Sequence, residues 1–495
     1  MNKIKMGWSE VSLLPEGKKV NLAGQFYERI TDEVETPITV TALAIECGDD
    51  SAIFCSCDLV SVSHKLLLRI REMLSQYEGF PTEKVMISAI HTHTAPSYAN
   101  RSDAVLGSSL DVLAKMMPDA KYEELVKYDG DDLFGGVEGF EFMAERIACA
   151  AKQAWDNRKN GLYAQGFGRA AVGMGRRVCY SDGSAKMWGD TDTATFTELE
   201  CGNDSGIELL FTYDENKKLT GVVANVACPA QVLEHRSFIS SDYWGKVKTL
   251  LRKEYGEDIF LLALCSAAGD QCPRDMIRWV EPETPINDPN IVRNNVTVRV
   301  ADPSMFDIKG CELIGRRIAN EIFYAAESVS EFVGETELEH RNITVDMPVR
   351  RVTPAETEVA RKAIKDFAAE IGNGTINFAD NARMHIHAGT VARSLIQEKI
   401  DVIPIEIHVI RLGNIAFATN PYELFLDYGN KMRARSKASQ TFIVQLSCGA
   451  YGYLPTEKAE RGSHYSAYVS SGTAGHIGGD LLVRKTVSEI NGMIK

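Results

Sequence analysis

The stretch Ile38–Cys57, ITVTALAIECGDDSAIFCSC, decides the fold class. Its two apolar runs, Ile38 to Ile45 and Ala52 to Cys57, read as strands and lead to Asp58. Working outward, a helix is expected from about His64 to Gln76, because Leu67, Ile70 and Leu74 recur at helical spacing and Ser63 is a suitable N-cap. A further strand, Val85 to Ile90, then ends on His91. The same layout occurs twice more. Glu208 to Tyr213 and Gly221 to Ala227 flank an Asp-Glu-Asn-Lys turn. Past Cys228 and Asp242 come a helix with Trp244, Val247 and Leu251 on one face, a strand from Ile259 to Leu264, and the polar loop Gly269 to Pro273. The third unit has strands Ile403 to Ile410 and Ile415 to Thr419, the segment Asn420-Pro421-Tyr422-Glu423, a helix to about Arg435, a strand from Thr441 to Leu446, and the loop Cys448 to Tyr453. Three strand-helix-strand units predict an α/β fold of mixed sheets flanked by helices. Polar residues at the strand ends predict one composite cleft fed by all three.

The tripeptide His91-Thr92-His93 stands at such a strand end. Alternation along a strand sends residues i and i+2 to one side, so both imidazoles are expected to face the cleft. Imidazole is both a common zinc ligand and a common general acid or base, so the pair suits a metal site or catalysis. The motif alone is equally compatible with two ordinary hydrogen-bonded histidines.

Composition bounds the partners. The chain has 495 residues, 44% of them hydrophobic and 25% charged, as in an ordinary soluble globular protein. A formal charge of −14 speaks against nucleic acid or an anionic membrane as a main partner. The start lacks the apolar run of a secretory signal, and no stretch reaches the roughly 18 apolar residues of a membrane span. Eleven scattered cysteines read as reduced thiols, and a cytoplasmic protein is expected. Residues 97–137 read as an acidic loop, and the proline-rich residues 273–305 as a long loop bordering the cleft. Thr353-Pro354-Ala355-Glu356 is a capping box that starts a helix running to about Ile371. With residues 382–399 it is expected to form a helical excursion over about 353–400, on which His385 and His387 are structural or exposed. The glycines at 166–175 fit no dinucleotide fingerprint, and no Walker sequence is present.

Six short motifs, in order, resemble the neutral, non-lysosomal ceramidase family. They are Ser88 to Pro96 around His91-Thr92-His93; Gly175-Arg176-Arg177; Asn225 to Pro229 with Ser240-Ser241-Asp242; Ala267 to Pro273; Asn420-Pro421-Tyr422-Glu423; and Gly452 to Thr456. The resemblance runs from about Gly7 to the last residue and corresponds to that family's catalytic domain, so residues 1–495 read as one such domain with the insertions named above. It implies one zinc ion per chain, bound through His91, Glu423, Tyr453 and one further ligand, and cleavage of an amide. It places His93 beside the reacting bond and Arg176 and Tyr465 in contact with the amide.

Two positions depart from the family pattern. Cys228 stands where the family has its second zinc histidine, so either Cys228 or His235, seven residues on, is expected to complete the ligand set. Cys272 replaces a serine and reads as an attacking thiolate, a hydrogen-bond partner or a small loop filler. The expected activity is zinc-dependent hydrolysis of an N-acyl bond in a small, soluble substrate. The rivals are a cysteine hydrolase built on Cys272 and a non-catalytic binding protein on the same scaffold. Self-association is left open.

Overall fold

Strands Thr39–Cys47 and Asp50–Cys57 pair antiparallel around Gly48, which takes a left-handed φ of 65° that glycine adopts without strain. The helix His64–Leu74 follows, its first turn capped by Ser63, whose Oγ accepts from Leu66 N at 3.2 Å. It returns the chain to Val85–Ala89, parallel to Asp50–Cys57. The second unit repeats this with Gly206–Asp214, Leu219–Val226, the helix Tyr243–Tyr255 and the parallel strand Phe260–Cys265. The third uses Val402–Leu412, Ile415–Thr419, the helix Leu426–Arg435 and the parallel strand Gln440–Val444. This is a computed structural model, and it describes residues 1–25, 27–98, 109–123, 128–281, 292–294 and 298–494.

The first two units occupy opposite ends of one nine-stranded sheet, joined through Lys159–Arg169 and Asn2–Ser12, while the third lies in a separate four-stranded sheet with Leu338–Pro348. The large sheet bends until its two ends approach: Ser56 Oγ donates to Ala263 O across the interior. Apolar rings weld the two sheets together. Phe417 stacks on Phe442 at 4.4 Å and meets Phe54 at 5.1 Å, all three being buried. Burial of such a ring stabilises the fold by roughly 2 to 3 kcal/mol.

Three backbone bonds then gather the strand ends. Ala89 N donates to Leu446 O at 3.2 Å, Gln445 N to Cys265 O at 3.0 Å, and Ala230 N to Ile90 O at 3.2 Å. The expected α/β architecture with three converging units is therefore the observed one.

The segments between the units are more regular than their composition suggests. Residues 97–137 contain the helix Ser109–Met116, whose Leu113 joins Ile364, Phe367 and Val391 of the helical excursion in one apolar cluster. Within 273–305, strands Trp279–Val280, Val292–Asn294 and Val298–Ala301 form a small sheet. Residues 99–108, 124–127, 282–291 and 295–297 lie outside the described residues. The excursion comprises Pro354–Ile371, with its capping box, and Phe378–Ile396, which starts earlier than the apolar pattern implies because Asn377 and Asp380 form a second capping box. Among the described residues no helix is long and apolar enough to cross a membrane.

Candidate active site

His91 follows its strand in a left-handed conformation, φ 67°, which costs energy for a side chain of this type. The turn directs Nδ1 to Val60 O at 2.6 Å. A carbonyl only accepts, so Nδ1 carries a proton and Nε2 is the ring nitrogen turned to the cleft. That Nε2 faces Glu423 Oε2 at 3.4 Å. Glu423 comes from the third unit, where the short parallel pairing of Glu423–Leu424 with Tyr453–Leu454 puts Glu423 and Tyr453 in register. Burial pushes the Glu423 carboxyl up, but His91, Arg176 and Tyr453 outweigh it and hold the group below its usual value. The Tyr453 phenol, buried beside Glu423, is pushed well above its ordinary value.

Arg176 enters from the segment that precedes the second unit and pairs with that unit's final loop. The pairing of Met174–Gly175 with Gln271–Cys272 carries it in, and Arg176 N donates to Asp270 O at 3.0 Å. Its guanidinium donates to Gly269 O at 3.0 Å and to the Tyr453 hydroxyl at 3.4 Å. Burial works against its charge, but Tyr453, Cys272 and Glu423 more than compensate, so it remains a cation. The Tyr465 hydroxyl stands 3.4 Å from that of Tyr453. Its loop includes Ser463, His464 and Ser466 at positive φ and is pinned by the fully buried Arg177, which donates to Ser463 O at 2.8 Å and Tyr465 O at 3.0 Å.

His93 lies edge-on to His91, with ring centroids 4.8 Å apart. Its ring nitrogens are shielded from solvent and make no hydrogen bond. The nearest charge to Nδ1 is Glu234 Oε2 at 3.4 Å, and Arg274 Nη2 stands 3.7 Å from the other carboxylate oxygen. Burial pulls the His93 imidazole below its ordinary value, and Glu234 opposes that. The sequence motifs do not point to Glu234. It is nevertheless the single carboxylate between Cys228 and Asp242.

The two expected alternatives for the further ligand are each engaged with other groups of the protein. The Cys228 thiol is in the apolar core, 3.5 Å from Pro229 O and 3.7 Å from Val172 O, and burial pushes it far above the range in which a thiolate forms. His235 stacks on Phe306 at 4.9 Å and turns Nε2 to Asp307 Oδ1 at 3.5 Å. Among the described residues, neither forms with His91 and Glu423 a group whose ligand atoms all lie within 4.8 Å of one another. Cys272 is buried too; its thiol donates to Arg274 O at 3.4 Å and is pushed up to about 11, mainly by burial. That environment favours the thiol over an attacking thiolate.

The His91 and Glu423 donors suit zinc. Two ligand atoms on a tetrahedral zinc, each about 2.0 to 2.1 Å from it, stand about 3.3 Å apart, close to the observed spacing and longer than a normal charge-assisted hydrogen bond. Tyr453, in register beside Glu423, would offer a third donor, its phenol oxygen. Among the described residues, three His, Cys or carboxylate ligand atoms lie within 4.8 Å of one another in a different place, at Glu406, His408 and Cys448. There the donors are engaged with the protein. Glu406 binds Arg71 through both oxygens, and His408 uses Nε2 on Glu406 and Nδ1 on His340. This cluster is satisfied as a buried ion-pair relay.

Comparison with protein-family models and with curated proteins finds no match. Among solved structures, the chain is similar to neutral ceramidase from Pseudomonas aeruginosa, with a TM-score of 0.66 and 16% identity over 100% of this chain and 75% of that one. A ceramidase complexed with C2 gives a TM-score of 0.64 and 14% identity, with the same coverage. The chain thus has the fold seen in these ceramidase structures.

Proposed function

We propose that the protein is a zinc-dependent hydrolase of an amide-like, N-acyl bond in a small substrate. The observation that carries this reading is the pairing of His91 Nε2 with Glu423 Oε2 at ligand spacing, beside Tyr453 and next to a second, unbonded imidazole. His91, Glu423 and Tyr453 are the proposed metal ligands. Zinc bound there would supply Lewis acidity and a nucleophile at neutral pH. Arg176 and Tyr465 converge on the same space and would stabilise the oxyanion that develops on the acyl carbonyl. His93 would carry a proton to the departing amine.

The matched structures are ceramidases by title, but a shared fold does not fix a substrate. The groups around the two histidines are mostly charged or aromatic, namely Arg176, Glu234, Arg274, Trp188 and Tyr465. Such a lining suits a compact polar N-acyl compound better than a long acyl chain. The buried, protonated state favoured at Cys272 speaks against the thiol mechanism.

The test is hydrolysis of a panel of N-acyl amino acids and of N-butanoyl-4-nitroanilide. Activity is expected to disappear with dipicolinate, return with added zinc and survive iodoacetamide. Activity that survives chelation but is lost on alkylation would overturn the reading.

A further inference from the structure

We infer that Glu234 is the positioning residue for His93, setting which ring nitrogen carries the proton and aiming the other at the reacting bond. This rests on the hydrolase reading above. A carboxylate can only accept, so with Glu234 Oε2 3.4 Å from Nδ1 the proton belongs on Nδ1. Nε2 is then left with its lone pair, and no protein group bonds to it. The spacing is that of a loose contact able to tighten when substrate binds.

Surrounding structure holds the pair in place. The Arg29 guanidinium, itself buried, bridges the two backbones that carry it. Nη2 donates to His93 O and Ala23 O, both at 2.6 Å, and Nη1 donates to Glu234 O at 2.7 Å and Arg236 O at 2.8 Å. Asp242 draws in the neighbouring residue, its Oδ2 accepting from Leu233 N at 2.8 Å. Arg274 stands beside the far carboxylate oxygen of Glu234, held between Trp188 at 4.3 Å and Phe306 at 4.6 Å. The chain also passes so close to the His93 ring that only glycine fits at Gly24. A carboxylate 14% exposed, fixed at both backbone and side chain against an otherwise unbonded imidazole, is arranged as an orienting partner.

The role is chemically balanced. His93 Nε2 accepts a proton from the attacking water as the carbon–oxygen bond forms, and Glu234 compensates the imidazolium. The same proton passes to the nitrogen as the carbon–nitrogen bond breaks, giving a carboxylic acid and an amine with His93 regenerated.

The test compares wild type with Glu234→Leu, Glu234→Gln and Glu234→Asp. With ¹⁵N-histidine labelling, long-range ¹H–¹⁵N spectra, with His93 assigned through His93→Gln, are expected to show the proton on Nδ1 in wild type and its redistribution to Nε2 in Glu234→Leu. On the N-acyl panel, kcat is expected to fall about 10²- to 10⁴-fold in the Leu and Gln variants, with KM little changed and partial recovery in the Asp variant. Zinc content should remain that of wild type. A wild-type tautomer and kcat in Glu234→Leu would overturn the inference, as would loss of zinc, which would make Glu234 a ligand. If Glu234→Leu does not fold, the same readouts on Glu234→Gln decide. Failure of wild type to hydrolyse any probe would count against the hydrolase reading, whereas the spectra decide the Glu234–His93 coupling either way.

Discussion

Gly24→Ala should cripple the reaction while leaving the metal ligands intact. Gly24 has φ +96°, and a Cβ built there would lie 2.5 Å from His93 Cγ and 2.7 Å from its Nδ1. Ordinary contact starts at 3.4 Å, so the imidazole or the Gly24 backbone must retreat by roughly 1 Å. The left-handed backbone costs alanine about 1 to 2 kcal/mol, and overpacking adds about 1 to 3 kcal/mol. A chain of 495 residues tolerates that loss if its stability is ordinary. The reaction is less tolerant, since a misplacement of about 1 Å costs on the order of 10²-fold in rate. His91 is anchored independently by Val60 O, so zinc should stay bound. Steady-state kinetics on the N-acyl panel, with zinc analysis and thermal unfolding of the same preparations, would check this. A folded Gly24→Ala protein with wild-type kcat would refute the placement of His93 at the reacting bond.

Other perturbations separate structural groups from functional ones. Burial would raise the Glu406 carboxyl, but His408 and Arg71 outweigh it and hold it at about 2, against an ordinary value of 4.5. A depressed carboxylate stabilises the fold above its unfolded value and loses that contribution as pH falls from about 4.5 to about 2, here roughly 3 kcal/mol. Urea unfolding should therefore show Glu406→Gln less stable than wild type at pH 7, with the gap closing towards pH 2; a gap independent of pH would contradict this. Cys272→Ser should keep its activity, and native Cys272 should resist iodoacetamide, because the thiol is buried and bonded to Arg274 O; a large loss of kcat would revive the thiol mechanism. Arg177→Met should free the Tyr465 loop and leave the buried Glu200 without its partner, a cost of about 3 to 5 kcal/mol, seen as lower stability and faster proteolysis of residues 457–468. An unchanged cleavage rate would show that Arg177 does not pin the loop.

Periodicity made the scaffold legible. The apolar runs of the three units resolve into strands with bounds within a few residues of those expected, and Ser63 and Thr353 cap helices as their side chains suggest. Local pattern does not encode what meets across the sheet ends. Glu234 reaches His93 because Arg29, 205 residues away in the chain, ties both backbones together while Asp242 holds the adjacent Leu233. His235 diverges from its neighbour in that turn and goes to Asp307, and Cys228 points into the core. Proline content misread residues 273–305, whose described part includes short strands joined into a sheet.

Zinc analysis of wild type beside His91→Ala, Glu423→Ala, Cys228→Ala and His235→Ala tests the central claim most directly. The account predicts about one equivalent per chain in wild type, retained in the Cys228 and His235 variants and lost in the His91 and Glu423 variants. Stoichiometric zinc surviving in both His91→Ala and Glu423→Ala would contradict it and move the metal away from this cleft.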